Sequence, residues 1–189
     1  GSETVSWLAI AAGTHTLDDG TVIQAGTTTA SQTSATGPNT TVTFNSAFGS
    51  TPVVMSQVMT DNGAEAVTIH NENRTVNNFQ IHLEEEEGSD FNHAAETVGW
   101  IAIDNGGTVA NGFLVGETTN SVTHNTTTVN FGSSFAANNP VVLVDMQTED
   151  GGDTAVARAS ATTASSVSFS VEEEQSANAE TNHTTEIIG

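Results

Sequence analysis

The sequence predicts an all-β protein made of two tandem antiparallel β-sandwiches. Three observations lead there. The chain repeats itself: Glu3-Thr4-Val5-Ser6-Trp7-Leu8-Ala9-Ile10 recurs as Glu96-Thr97-Val98-Gly99-Trp100-Ile101-Ala102-Ile103, an interval of about 93 residues. Its apolar runs are short and rich in Val, Ile, Thr and Phe, and several alternate with period two, as Val42 and Phe44 do against Thr41 and Thr43. Between them lie the turn clusters Asp19-Gly20, Asp61-Asn62-Gly63, Asp104-Asn105-Gly106-Gly107 and Asp150-Gly151-Gly152. No segment carries a helical apolar stripe of useful length.

In chain order, the first copy predicts strands at residues 41–44, 53–59, 66–70, 79–83 and 98–103. The second copy returns the same pieces in the same order. Thr41-Val42-Thr43-Phe44 comes back as Thr128-Val129-Asn130-Phe131, and Pro52-Val53-Val54 as Pro140-Val141-Val142. The Phe79 run with its acidic end, Glu84-Glu85-Glu86, comes back as the Val167 run ending in Glu172-Glu173-Glu174. His93-Ala94-Ala95-Glu96 comes back as His183-Thr184-Thr185-Glu186. The expected core is Phe44, Phe48, Val54, Ile69, Phe79, Ile81 and Trp100 with their counterparts. Glu186-Ile187-Ile188-Gly189 begins a third copy of the Trp segment and stops before its Trp, so the register predicts a longer tandem array.

Composition narrows the function classes. Arg74 and Arg158 are the only two basic residues among 189, against 23 acidic ones, for a formal charge of -21. Phosphate binding needs Lys and Arg, so a nucleic-acid partner is excluded on charge, and anionic membranes are disfavoured likewise. No apolar run approaches the roughly 20 residues of a membrane helix, so no membrane insertion is expected. The absence of Cys removes disulfides, thiol nucleophiles and thiolate zinc sites. Charged residues are only 13% because the basic ones are missing, while Thr, Ser, Asn and Gly cover the surface. This reads as an extracellular or surface protein in high salt, where counterions screen self-repulsion.

The order of the pieces resembles the H-type lectin domain, the antiparallel sandwich of snail agglutinins and discoidin C-terminal domains. The matching residues are Asp19-Gly20-Thr21-Val22 (Asn111-Gly112-Phe113-Leu114), Val42 to Phe48, Pro52-Val53-Val54-Met55, the Phe79 strand and the closing Val98-Gly99-Trp100-Ile101-Ala102-Ile103. The resemblance implies an H-type-lectin-like, sugar-binding fold, often trimeric, whose Trp strand closes the domain. Residues 1–16 are then the closing strand of a preceding repeat plus a linker, 17–104 the first sandwich, and 105–189 the second, its closing strand truncated. Trp7 and Trp100 would sit in cores. An orphan strand at the front and an open slot behind attract each other through unpaired N–H and C=O groups. Glu3, Val5, Trp7 and Ile10 are therefore candidates for strand exchange with the second sandwich, in the same or a neighbouring chain.

At the family's sugar-contacting positions this chain has Glu85, Glu86 and Glu87, and in the second copy Glu173, Glu174 and Gln175. The family's Arg has no counterpart, since the stretch reads Ala64-Glu65-Ala66-Val67. Carboxylates can still accept hydrogen bonds from sugar hydroxyls, and avidity across repeats would compensate for weak single sites. The run Glu84 to Glu87 has two readings. One is a Ca²⁺ site built from Glu84 and Glu86, which share a strand face, with Asp61 and Glu65 from a nearby loop. The other is a solvated strand end. His93 and His183 each stand three residues before a Glu; on a strand the two side chains face opposite ways and would share no ligand. No Gly-x-Ser-x-Gly elbow is present, and no catalytic residue is assigned. The expectation is a non-catalytic extracellular tandem-repeat module for glycan binding or adhesion, with no resident cofactor other than that calcium. Its alternative is a structural repeat of a filament, adhesin stalk or viral fibre that assembles by strand donation, its partners being its own neighbouring repeats.

Overall fold

A computed structural model describes residues 5–32, 39–106, 112–131, 135 and 139–189. Among these residues the chain is all-β, with ten strands and no helix: β1 (Gly13–Thr16), β2 (Val22–Ala30), β3 (Thr40–Thr43), β4 (Val53–Val58), β5 (Val67–Glu72), β6 (Asn78–Glu85), β7 (Glu96–Ile103), β8 (Thr127–Asn130), β9 (Ala155–Thr162) and β10 (Ser166–Glu173). Three antiparallel sheets result, ordered β1-β2-β7-β4, β3-β6-β5 and β8-β10-β9.

The first two sheets enclose one core. Period-two alternation turns Phe79, Ile81 and Leu83 of β6 inward, toward Val98, Trp100 and Ala102 of β7. The Phe44 and Phe79 rings stack with centroids 5.5 Å apart, and Trp100 meets Phe79 edge-on at 5.8 Å. All seven core residues expected from the first copy are buried. The segment Gly13–Thr16, assigned to a linker on sequence, forms the edge strand β1 and reaches β2 through the Asp19-Gly20 turn. Thr21 N–H donates to the Asp19 carboxylate at 3.0 Å there.

The third sheet covers a second core of Val122, Met146, Ala155, Val167, Phe169, Val171 and Ile188. The counterpart of β7 begins at Glu186. It pairs through the bridges Val122↔Glu186 and Met146↔Ile188, the latter matching Val58↔Val98 of the first copy.

Residues 5–10 copy β7 in sequence but form no strand. Trp7, expected in a core, is 79% exposed, in a segment that pairs with no sheet. Glu3 lies outside the described residues, as do Val109 and Asn111 at the start of the second copy.

Candidate functional site

The acidic strand ends divide between two faces. On β6, Glu85 continues the inward row of Phe79, Ile81 and Leu83 and is fully buried, whereas Glu84 turns outward against His70. On β10, Glu173 occupies the place of Glu85. The six residues read as glycan-contacting are therefore not brought together. Glu85 and Glu173 lie beneath the surface, Glu86 and Gln175 are exposed, and Glu87 and Glu174 meet where the repeats touch, the Glu87 N–H donating to Glu174 Oε2 at 3.0 Å. The calcium set is not gathered either. Glu65 lies near Glu85 and His93, while Glu84, Glu86 and Asp61 join neither of the groups among the described residues that bring three metal-ligating side chains together.

What the structure does assemble, twice, is a buried Glu–His–Glu clip. His93 Nδ1 stands 3.2 Å from Glu85 Oε1 and its Nε2 3.2 Å from Glu96 Oε1. His183 repeats this with Glu173 at 3.0 Å and Glu186 at 3.1 Å. The expectation that His93 and Glu96 face apart is corrected: His93 precedes β7 in irregular backbone, so strand alternation does not separate them. The turn clusters close each clip. Asn62 and Gly63 N–H groups donate to Glu96 Oε1 at 2.6 and 3.0 Å, and Asp150 and Gly151 do the same to Glu186 at 2.7 and 3.1 Å. Thr60 and Thr148 hydroxyls donate to the other oxygen of each carboxylate. The Thr60 hydroxyl, then the Asn62 and Gly63 amides and His93, hold the Glu96 carboxyl down at about 2 against its burial. Burial opposes charge on His183, but its hydrogen bonds to Glu186 and Glu173 outweigh it and its pKa is raised. Gly63 and Gly151 lie flat under the imidazoles; a Cβ would stand 2.1 Å from His93 Cε1 and 2.3 Å from His183 Cε1. Each clip thus ties a loop, the end of one strand and the start of the next, with both ring nitrogens engaged.

A second polar assembly joins the repeats. The Gln147 amide acts as a strand edge for β4, accepting from Val54 N–H at 2.9 Å and donating to Val54 O at 2.7 Å. Asp145 Oδ2 accepts from Ser56 N–H at 2.8 Å and Asn71 Nδ2 at 2.9 Å. Burial pushes the Asp145 carboxyl up to about 7 despite these donors. Arg74 donates to Pro52 O, Gln147 O and Glu117. On the outer face of β5 and β6, His70 and His82 stack at 5.6 Å, with Glu149 of the second repeat 3.2 Å from His82 Nε2. Sequence comparison within the chain leaves His70 and His82 unassigned because they do not recur. Their counterparts are Arg158, paired with Glu172 on an open face, and Ser170. That asymmetry was the available signal: one copy's face is covered and the other's is not.

The third feature is an apolar slot of about 570 Å³ between the second repeat and the β4–β7 edge of the first, lined by Phe113, Val142, Phe169 and Ile188, by Val53 and Ile103, and by Trp7 and Leu8. In the first repeat, β4 pairs with Val98 to Ile103 of β7, Val53 opposite Ile103 and Ser56 opposite Trp100. In the second, the corresponding segment 141–144 forms no strand and lines the slot, and Val141 is 67% exposed.

Among known proteins, the chain is similar to halomucin of Haloquadratum walsbyi (strain DSM 16790 / HBSQ001), with 34% identity over 190 residues. The match takes in 98% of this chain and spans about 2% of halomucin's length. No family model and no solved structure matches.

Proposed function

We propose that the chain is a non-catalytic structural repeat module of an extracellular protein, and that it links to its neighbours by strand donation. One observation carries this reading. Residues 7–10 carry the Trp-Leu-Ala-Ile pattern of Trp100 to Ile103, which pair with β4; they form no strand, and Trp7 and Leu8 line an apolar slot against residues 140–144, the counterpart of the β4 segment. By the β4–β7 register, Trp7 would lie opposite Val144 and Ile10 opposite Val141. A head-to-tail contact of this kind does not close on itself and gives open chains. The acidic, Lys-free surface suits salt-rich surroundings, and likeness to a segment of halomucin supports an extracellular setting. Engagement of both nitrogens of His93 and of His183 supports a structural role for the clips.

The test is mass in solution. The chain should form concentration-dependent oligomers by light scattering, and deletion of residues 1–10 should leave a folded monomer. Equal masses for the two would reject strand donation. The H-type-lectin resemblance supports a second reading, glycan adhesion. A glycan array read with Ca²⁺ and again with EDTA decides it, and silence in both rejects it.

A further inference from the structure

The two clips show what a satisfied histidine looks like in this protein, and His82 differs from them. It is buried between Glu72 of its own repeat and Glu149 of the next, yet neither ring nitrogen makes a hydrogen bond of acceptable geometry. Nδ1 lies 3.9 Å from Glu72 Oε1 and Nε2 3.2 Å from Glu149 Oε2. One donor atom from each of the three residues falls within 4.8 Å of the others.

The charge around it is also unbalanced. Glu72, Glu84, Asp145 and Glu149 gather at this junction with His70 and His82. The chain has only two basic side chains. Arg74 reaches Glu117, and Arg158 pairs with Glu172 on the open face.

We propose that Glu72, His82 and Glu149 form a divalent metal site, taking Zn²⁺ or a similar small transition cation, that fastens one repeat to the next. One imidazole and two carboxylates suit such an ion, whereas Ca²⁺ calls for six to eight oxygens. A tetrahedral ion with bonds of about 2.1 Å wants donors about 3.4 Å apart, so donors within 4.8 Å need close by at most about 1.4 Å. Glu72 is already oriented by Asn39 and by Asn73 Nδ2 at 3.0 Å, the outer support a ligating carboxylate needs. The other three-residue group, Glu65 with Glu85 and His93, is the poorer candidate, because both His93 nitrogens are already bonded.

The experiment is a calorimetric ZnCl₂ titration of the full, EDTA-stripped chain, with Co²⁺ absorption as a second readout. The near-isosteric variants Glu72→Gln and Glu149→Gln probe the ligands, Glu65→Gln is the control, and circular dichroism checks their folding. One equivalent of Zn²⁺ should bind, with affinity about tenfold or more weaker in each ligand variant and unchanged in the control. No binding by the folded chain, binding unaffected by both ligand variants, or loss only in Glu65→Gln would overturn the site. None of the three ligands lines the slot, so this result and the strand-donation test fail separately.

Discussion

Two glycines carry the residue-scale logic of the fold. Gly63 and Gly151 are required because an imidazole occupies the space of their missing side chain. Gly63→Ala should destabilise the protein by roughly 1–3 kcal/mol, since neither the buried ring nor the loop that bonds Glu96 can retreat. Gly49→Ala, with open space around it, should be near neutral. Urea denaturation of the two variants checks this. The titrating groups set a pH dependence at the same scale. A raised pKa contributes stability that is full below the unfolded value and lost as pH rises through the folded one. His183 and His70 therefore favour pH below about 6.5. Asp145, raised to about 7, favours the fold most below its ordinary 3.8 and loses that contribution up to about 7. Glu96, lowered to about 2, works oppositely: its contribution is full above 4.5 and lost toward 2. The melting temperature at fixed salt should peak in the mildly acidic range, lower at pH 8 and lower at pH 2; a flat profile would count against charged clips.

At the scale of elements, what could be read from sequence follows from how strongly each strand alternates. β3 to β7 were legible because half-buried strands rich in Val, Ile and Phe print period two, and because the second copy repeats them. β2 was not. Its Gly26-Thr27-Thr28-Thr29 stretch shows no apolar face, and it is held as a strand by full pairing with β7. β1 is short and polar for the same reason, an edge supported by one neighbour. The clips were half-legible. The recurrence of His93 and Glu96 as His183 and Glu186 marked them, but strand geometry was assumed where the chain is irregular. The turn clusters were visible as turns, and nothing local says that their amides point at a carboxylate 33 to 36 residues away. The repeat junction is a contact between unlike faces of like domains, so internal comparison reveals it only as a mismatch.

For the whole molecule, the same Trp strand has two situations. In β7 it is inserted and closes a core; in residues 5–10 it forms no strand, and Trp7 and Leu8 line the slot next to the second core. Burial of a Trp and an Ile in an apolar slot is worth several times the thermal energy each, on the order of 2 kcal/mol apiece. Backbone pairing with segment 141–144, the counterpart of β4 residues 53–56, would add register. The protein has no Cys, so that register can be read by cross-linking. Met55 opposite Ile101 in the first repeat maps to Leu143 opposite Leu8 of a second copy. Facing residues of an antiparallel pair come within disulfide reach. The measurement is to mix chains carrying Leu8→Cys with separate chains carrying Leu143→Cys under mild oxidation. Strand donation predicts a mixed covalent dimer, abolished when the first cysteine is moved to position 12. No mixed dimer, or equal linking from position 12, would contradict it.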